Sequence, residues 1–233
     1  MVALAAGVGL LGLAIGSFLN VVAYRVPAGR SVVRPRSACP ACGHTVRARD
    51  NLPVLSWFLL GGRCRDCGAS ISPRYPLVEG LTALIFAATV LVVGVRWVLT
   101  AYLWFAGVTL VLVLTDLDHQ RIPNRILYPG AAVGTVLLAS GALGDGAAMG
   151  FVRAVAGGAL YFTVLFLVAL AARGGFGFGD VKLAFLLGEF LAYLSWAVLW
   201  AGVFLAVFIG GLAALALLVT RRKGRKEAIP FGP

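Results

Sequence analysis

Apolar residues in this chain come in long uninterrupted runs, without the narrow stripes or alternations of soluble elements. Runs at 2–24, 77–95, 97–115, 126–143, 148–172, 180–193 and 195–219 approach or exceed the roughly 20 residues that an α-helix needs to cross a bilayer core. The pattern predicts an all-α polytopic membrane protein of about seven transmembrane helices. Residues 25–76 interrupt it between the first run and the second. Their one apolar stretch, 52–60, is too short to span, and is expected to pack on the loop or to lie in the interface.

Composition agrees with that pattern. Hydrophobic residues make up 61% of the 233 and charged residues 12%, and mean hydropathy is +0.95, whereas a soluble domain is about half apolar and a quarter charged. The 20 Lys and Arg outnumber the 9 Asp and Glu, yet they sit in loops beside apolar runs, which sets topology and does not build a nucleic-acid surface. Loops 25–76, 117–125, 173–182 and 220–227 carry nine, two, two and five basic residues. Between the other pairs of runs lie only Arg96 and, at a helix start, Arg153. The positive-inside rule places the four basic loops in the cytosol and the N-terminus outside. The first run has its basic flank behind it, the reverse of a secretory signal peptide, so it reads as a retained span.

The basic loop 25–76 holds Cys39-Pro-Ala-Cys42-Gly43 and Cys64-Arg-Asp-Cys67-Gly68. Two Cys-x-x-Cys knuckles at this separation are the pattern of a four-cysteine zinc site. Four thiolates fill a tetrahedral shell and leave no open position, so the metal is expected to be structural. A redox pair and an iron site use the same residues. His44 beside the first knuckle reads as a bystander.

Acids within the apolar segments are few and costly. Asp116 closes the third run, ahead of Ile122-Pro123-Asn124, and Asp180 opens the sixth, behind the glycine-rich stretch Gly174–Gly179. Charge-based topology puts both at the cytosolic membrane edge, where two carboxylates on different helices can meet. One such acid ionises and the other stays protonated. The first can take a proton from water while the second polarises a carbonyl, which is aspartyl peptide-bond hydrolysis. Asp180 equally reads as a helix cap, and Lys182 either stabilises charge there or snorkels to the headgroups. Glu189, inside the sixth run, gives a different reading: a proton-coupled transporter with Asp116, Asp180 and Glu189 as a relay. A zinc-stabilised membrane scaffold without chemistry is a further one. Ser17 and Asn20 share a helix face and read as a packing surface. Glu79 reads as a cap at the start of the second run.

Taken together, four segments resemble the type IV prepilin peptidase family, also called leader peptidase/N-methyltransferase: Gly16-Ser17-Phe18-Leu19-Asn20 through Arg25-Val26-Pro27; the two knuckles with Arg74-Tyr75-Pro76-Leu77-Val78-Glu79; Asp116 through Asn124; and Gly177-Phe178-Gly179-Asp180-Val181-Lys182. The resemblance implies a Gly-x-Gly-Asp intramembrane aspartyl protease with Asp116 and Asp180 catalytic and Gly177, Gly179 and Lys182 in support. Asp116, not Asp118, is the residue seven before the proline of Ile-Pro-Asn. The implied substrates are prepilins or pseudopilins, cut after a glycine at the cytosolic face of the bacterial inner membrane. Members with the cysteine loop also methylate the new N-terminus with S-adenosylmethionine; no donor-binding residues are assigned, beyond a suspicion of the 16–27 stretch and the loop. The implied division is a first helix over 1–24, a zinc loop and methyltransferase region over 25–76, and a membrane-embedded peptidase domain over 77–233. Leader recognition falls to acids, Asp118 or Glu79. In the family a segment like Ile229–Pro233 usually leads into a final apolar helix; here the sequence ends with it, either because the natural protein is short or because a final eighth helix is missing.

Overall fold

The computed structural model describes residues 1–172 and 177–219, the side chains of 213, 214 and 217–219 excepted. Residues 173–176 of the glycine-rich stretch, the basic tail and the 229–233 segment lie outside the described residues.

The chain is a multi-pass helical membrane protein. Among the described residues its α-helices are α1 (Val2–Arg25), the short α2 (Leu55–Leu59), α3 (Arg74–Val93), α4 (Leu99–His119), α5 (Asn124–Gly144), α6 (Ala148–Ala171), α7 (Phe178–Leu194) and α8 (Trp196–Val219). Five of them, α1 and α3 to α6, are long and apolar enough to cross a membrane. With α7 and α8 they make the seven long helices that the apolar runs predict. The ends differ by a few residues, for local reasons. Helix α3 starts at Arg74 rather than 77, because Pro76 in its first turn gives up an N–H that has no intrahelical partner there. Helix α4 starts two residues late: Asp145 accepts the N–H groups of Trp97 (2.9 Å) and Val98 (3.2 Å) and pairs with Arg96 at 3.4 Å. That carboxylate satisfies the positive end of α4.

Lipid is as apolar as the inside of the bundle, so small residues that let backbones approach decide which helices pair. Helix α1 lies along α3, and α6 along α7. At the second contact a Cβ on Gly188 would stand 2.8 Å from the Gly157 carbonyl oxygen and 2.9 Å from Gly158 Cα, and both obstacles are backbone. Gly188→Ala is therefore expected to cost about 1–3 kcal/mol by forcing the pair apart, read as a lower midpoint of thermal unfolding in detergent. An unchanged midpoint would mean that the helices are not this close.

The core lies where α4, α5 and α7 converge, around Leu127, Leu138, Leu186 and Phe190. The Tyr102 hydroxyl donates to the Phe190 carbonyl at 2.8 Å, and Phe105 stacks on the Phe190 ring at 4.4 Å. At the far end of α7, Arg153 of α6 donates to the carbonyls of Ala192, Tyr193 and Leu194, placing a cation at the negative pole of that helix. The C-terminal ends of α1, α4 and α6 and the N-terminal ends of α3, α5 and α7 share the opposite side, and the functional residues gather there.

Candidate active site and metal loop

Helix α4 delivers Asp116 in its last turn, buried at 6% exposure. Helix α7 begins after Gly177, so Asp180 is its third residue. It is not the N-cap; it is a first-turn acid that favours the positive end of the helix. The two carboxyl groups are close enough for their charges to interact. The glycines around Asp180 are shaped by this corner. A Cβ on Gly177 would sit 3.1 Å from the Asp180 carboxylate, and one on Gly179 would sit 3.2 Å from Ile122 Cβ. The start of α7 thus rests on the Ile122-Pro123-Asn124 segment that leads into α5.

Lys182 spans the same gap. Its Nζ donates to Asn124 Oδ1 at 3.1 Å and lies 5.5 Å and 5.3 Å from the ring centroids of Tyr128 and Phe178. That ties the N-terminal end of α7 to the N-terminal end of α5. On the side of α6, Tyr161 lies within electrostatic reach of Asp180. Sequence reasoning passed over this residue, since a tyrosine in an apolar run carries no signal of its own.

The other acids have separate partners. Arg74 at the start of α3 grips Asp118 with both guanidinium nitrogens, at 2.6 Å and 2.7 Å, so an acid considered for leader recognition is already engaged. Glu79, the other candidate, accepts the Val54 N–H at 2.6 Å, and so holds the loop rather than the start of its own helix. Glu189 is fully buried and bonded to the Thr135 hydroxyl at 2.8 Å. It lies nine residues along α7 from Asp180, or ~13 Å at the helical rise.

Residues 38–72 form a compact lobe on the ends of α1 and α3. In each knuckle the glycine after the second cysteine returns its N–H to the carbonyl of the first, Gly43 to Cys39 and Gly68 to Cys64, both at 2.9 Å. Those glycines stand at φ +75° and +71°, where a side chain is strained. The four sulfurs lie within 4.8 Å of one another, and those of Cys39 and Cys67 are 3.8 Å apart. Tetrahedral ligation at a metal–sulfur distance of about 2.3 Å needs sulfurs about 3.8 Å apart, so the quartet fits one metal ion. Backbone N–H groups of Cys42 and Ala41 pull the Cys39 thiol down to about 6. The Ala69 N–H pulls on Cys67 in the same sense, but desolvation and the sulfurs of Cys42, Cys64 and Cys39 outweigh it and push that thiol up to about 12. A divalent cation resolves the conflict by favouring four thiolates at once.

Ion pairs brace the lobe. Arg65 clasps Asp50 at 2.7 Å and Arg47 meets Asp66 at 2.8 Å. The Arg65 guanidinium holds the Asp50 carboxyl below the usual carboxylate range. The apolar 52–60 stretch packs on the lobe: α2 carries Trp57, whose Nε1 donates to the Ile71 carbonyl at 3.0 Å.

Two family models cover most of the chain. The model described as bacterial peptidase A24 N-terminal domain matches residues 10–93, and the one described as type IV leader peptidase family matches residues 103–219. The chain belongs to the type IV leader peptidase family. It is 41% identical over 224 residues to a prepilin leader peptidase/N-methyltransferase of Myxococcus xanthus, covering 92% of this chain and 64% of that protein. Proteins of the same name from Aeromonas hydrophila and Pseudomonas aeruginosa are each 34% identical, over 252 and 250 residues, with 96% of this chain and 84% of theirs covered. The chain thus spans about two thirds of the length of the first relative and most of the other two. No solved structure matches it.

Proposed function

We propose that this chain is an intramembrane aspartyl endopeptidase that removes the basic leader from type IV prepilins or pseudopilins and methylates the new N-terminal residue. What supports the peptidase reading is the placement of Asp116, at the end of α4, and Asp180, at the start of α7, within electrostatic reach of each other on one side of the bundle. Membership in the leader peptidase family supports reading that pair as the catalytic acids.

In this reading the dyad shares one proton. The ionised carboxylate draws a proton from a water, whose oxygen attacks the scissile carbonyl carbon. The protonated carboxyl donates to the carbonyl oxygen. Collapse of the tetrahedral intermediate breaks the C–N bond, and the amine leaves with a proton from the dyad. The peptidase domain would be residues 77–233, with the site at the cytosolic face of a bacterial inner membrane, a placement that the basic loops favour. The metal of the four-cysteine lobe would be zinc, closed and structural. S-adenosylmethionine, when bound, supplies a methyl group for the freed amine; this chain's part is to bind the donor and orient that amine.

Lys182 and Asn124 are positioning residues in this scheme. Lys182→Met removes a charged hydrogen bond of about 1.5 kcal/mol and is expected to lower the cleavage rate roughly tenfold. Asn124→Ala should do the same, and the double variant should be no worse than either single change. Additive losses would separate the two residues, and Lys182 would then be a headgroup contact.

The test is a reconstituted assay. The chain in liposomes receives a prepilin-like peptide with a basic leader ending in glycine, followed by phenylalanine, and mass spectrometry follows both products. Released leader and one added methyl group on the new N-terminus are expected. Leader release without methylation would leave a peptidase only, and neither product would overturn the reading.

A further inference from the structure

A cavity of about 490 Å³ lies between the metal lobe and the adjoining ends of α1 and α3, within the range of about 300–1,000 Å³ that small-molecule sites occupy. Among the residues that line it are Ser17, Asn20, Tyr24, Val54, Trp57 and Glu79. We propose that this cavity holds the sulfonium methyl donor, and that Glu79 is the group that reads its positive charge. The inference rests on the methyltransferase half of the proposed function and assigns it a place.

Three observations carry it. Glu79 is 7% exposed and spends one oxygen, Oε2, on the Val54 N–H. Its Oε1 has no partner among the described residues. That oxygen is not sealed in the protein interior, so on a residue that lines the cavity it is open to a cation or a donor. Asn20, also 7% exposed, donates its amide to the carbonyls of Gly16 (3.2 Å) and Tyr75 (3.5 Å), and its Oδ1 has no partner among the described residues. A packing face explains the amide, but not an open acceptor and a half-used carboxylate on one cavity.

The second observation is backbone strain. Val54 stands at φ +62°, ψ −53°, inside a tight turn closed by a 2.6 Å hydrogen bond from the Leu55 N–H to the Pro53 carbonyl. A β-branched residue there is a genuine outlier, and such strain persists where surroundings enforce it, commonly at ligand sites. The N–H of this strained residue is the one that Glu79 holds.

The third is the aromatic wall. Tyr24, Trp57 and Tyr75 line the same cavity. Aromatic faces suit both halves of the donor: they stack on a purine, and they attract a cation through the ring quadrupole. The new N-terminal ammonium of the substrate carries the same charge as the sulfonium, so the test separates the two.

The full chain in detergent is titrated by calorimetry with S-adenosylmethionine and with S-adenosylhomocysteine, its uncharged thioether counterpart. Wild type is expected to bind both. Glu79→Gln keeps an acceptor for the Val54 N–H but loses the charge. It should weaken S-adenosylmethionine by about tenfold or more and S-adenosylhomocysteine by less than about twofold. Ser17→Phe fills the cavity and should weaken both by at least about tenfold. Metal content and melting temperature verify that each variant is folded; if Ser17→Phe fails there, the Glu79→Gln ratio decides alone. Equal weakening of both ligands by Glu79→Gln would make Glu79 a structural anchor and overturn its role. Unchanged binding of both ligands by the folded variants would place the donor elsewhere, with Glu79 left for the substrate ammonium. Wild type that binds neither overturns the site, and wild type that also fails to methylate overturns the methyltransferase reading, whatever the result of leader cleavage.

Discussion

Asp116→Asn and Asp180→Asn are each expected to reduce leader cleavage by about 10³-fold, within the range for losing a general acid or base. Asparagine preserves volume and hydrogen bonding, so the bundle should keep its melting temperature while the dyad loses its shared proton. The double variant should be little worse than either single one, because the two groups act as a unit. Asp118→Asn is the internal control. That carboxylate is bound by Arg74 on the exposed edge of α3, where an ion pair contributes at most about 1 kcal/mol, so cleavage should change only a few-fold. In wild type the rate against pH should be bell-shaped, with both apparent pKa values belonging to the pair rather than to either residue. Cleavage by Asp116→Asn or Asp180→Asn at near wild-type rate would remove the dyad, and a loss confined to Asp118→Asn would move the chemistry to that residue.

Removal of the metal is expected to have the second-largest effect. Structural zinc contributes about 10–16 kcal/mol of apparent binding energy in small zinc domains, and that energy is folding energy. The lobe over 38–72 has little else to hold it. It contributes two isolated bridges, Ala38 with Thr45 and Arg63 with Ser70, a three-residue 3-10 turn over Ala48–Asp50, one five-residue α-helix and two exposed ion pairs. Chelation, or Cys42→Ser, should therefore strip the ion and open the lobe to protease between the knuckles. It should also abolish methyl-donor binding, because the cavity wall includes Cys39, Thr45, Cys64 and Ile71. Leader cleavage should suffer less, since Asp116 and Asp180 are carried by α4 and α7. Acidification should release the metal as well: thiolates are the ligands, and affinity falls as they protonate. Elemental analysis with limited proteolysis reads both effects. A lobe that resists protease without its metal would show that the cysteines are not its main support.

Much of this organisation is visible in the chain before folding. Crossing a bilayer is a local property, because each span satisfies its own backbone hydrogen bonds, so the seven runs appear as helices with ends moved by at most a few residues. The metal quartet is equally local: a knuckle is a five-residue turn whose glycine and two cysteines are adjacent in sequence. The motifs around Asp116 and Asp180 carry the family resemblance.

The pairings were not legible, and the reason is physical. In a soluble helix the apolar stripe points at the core. In lipid both faces are apolar, so the runs do not show which face of α5 meets α7, or that α6 rather than α8 lies closest along it. The partner of Glu189 proved to be Thr135 across the α5–α7 contact, where a lone acid in a run says only that a partner is needed. Glu79 reads in sequence as a cap of its own helix, yet it reaches 25 residues back to Val54. The long apolar helices, the four-cysteine pattern and the positions of the two aspartates were determined by the sequence itself, through hydropathy and short-range spacing. Which acids come within electrostatic reach of each other, what Lys182 holds, and the cavity between the lobe and the helices were decided only by tertiary packing, because close contacts between small residues set how the helices approach.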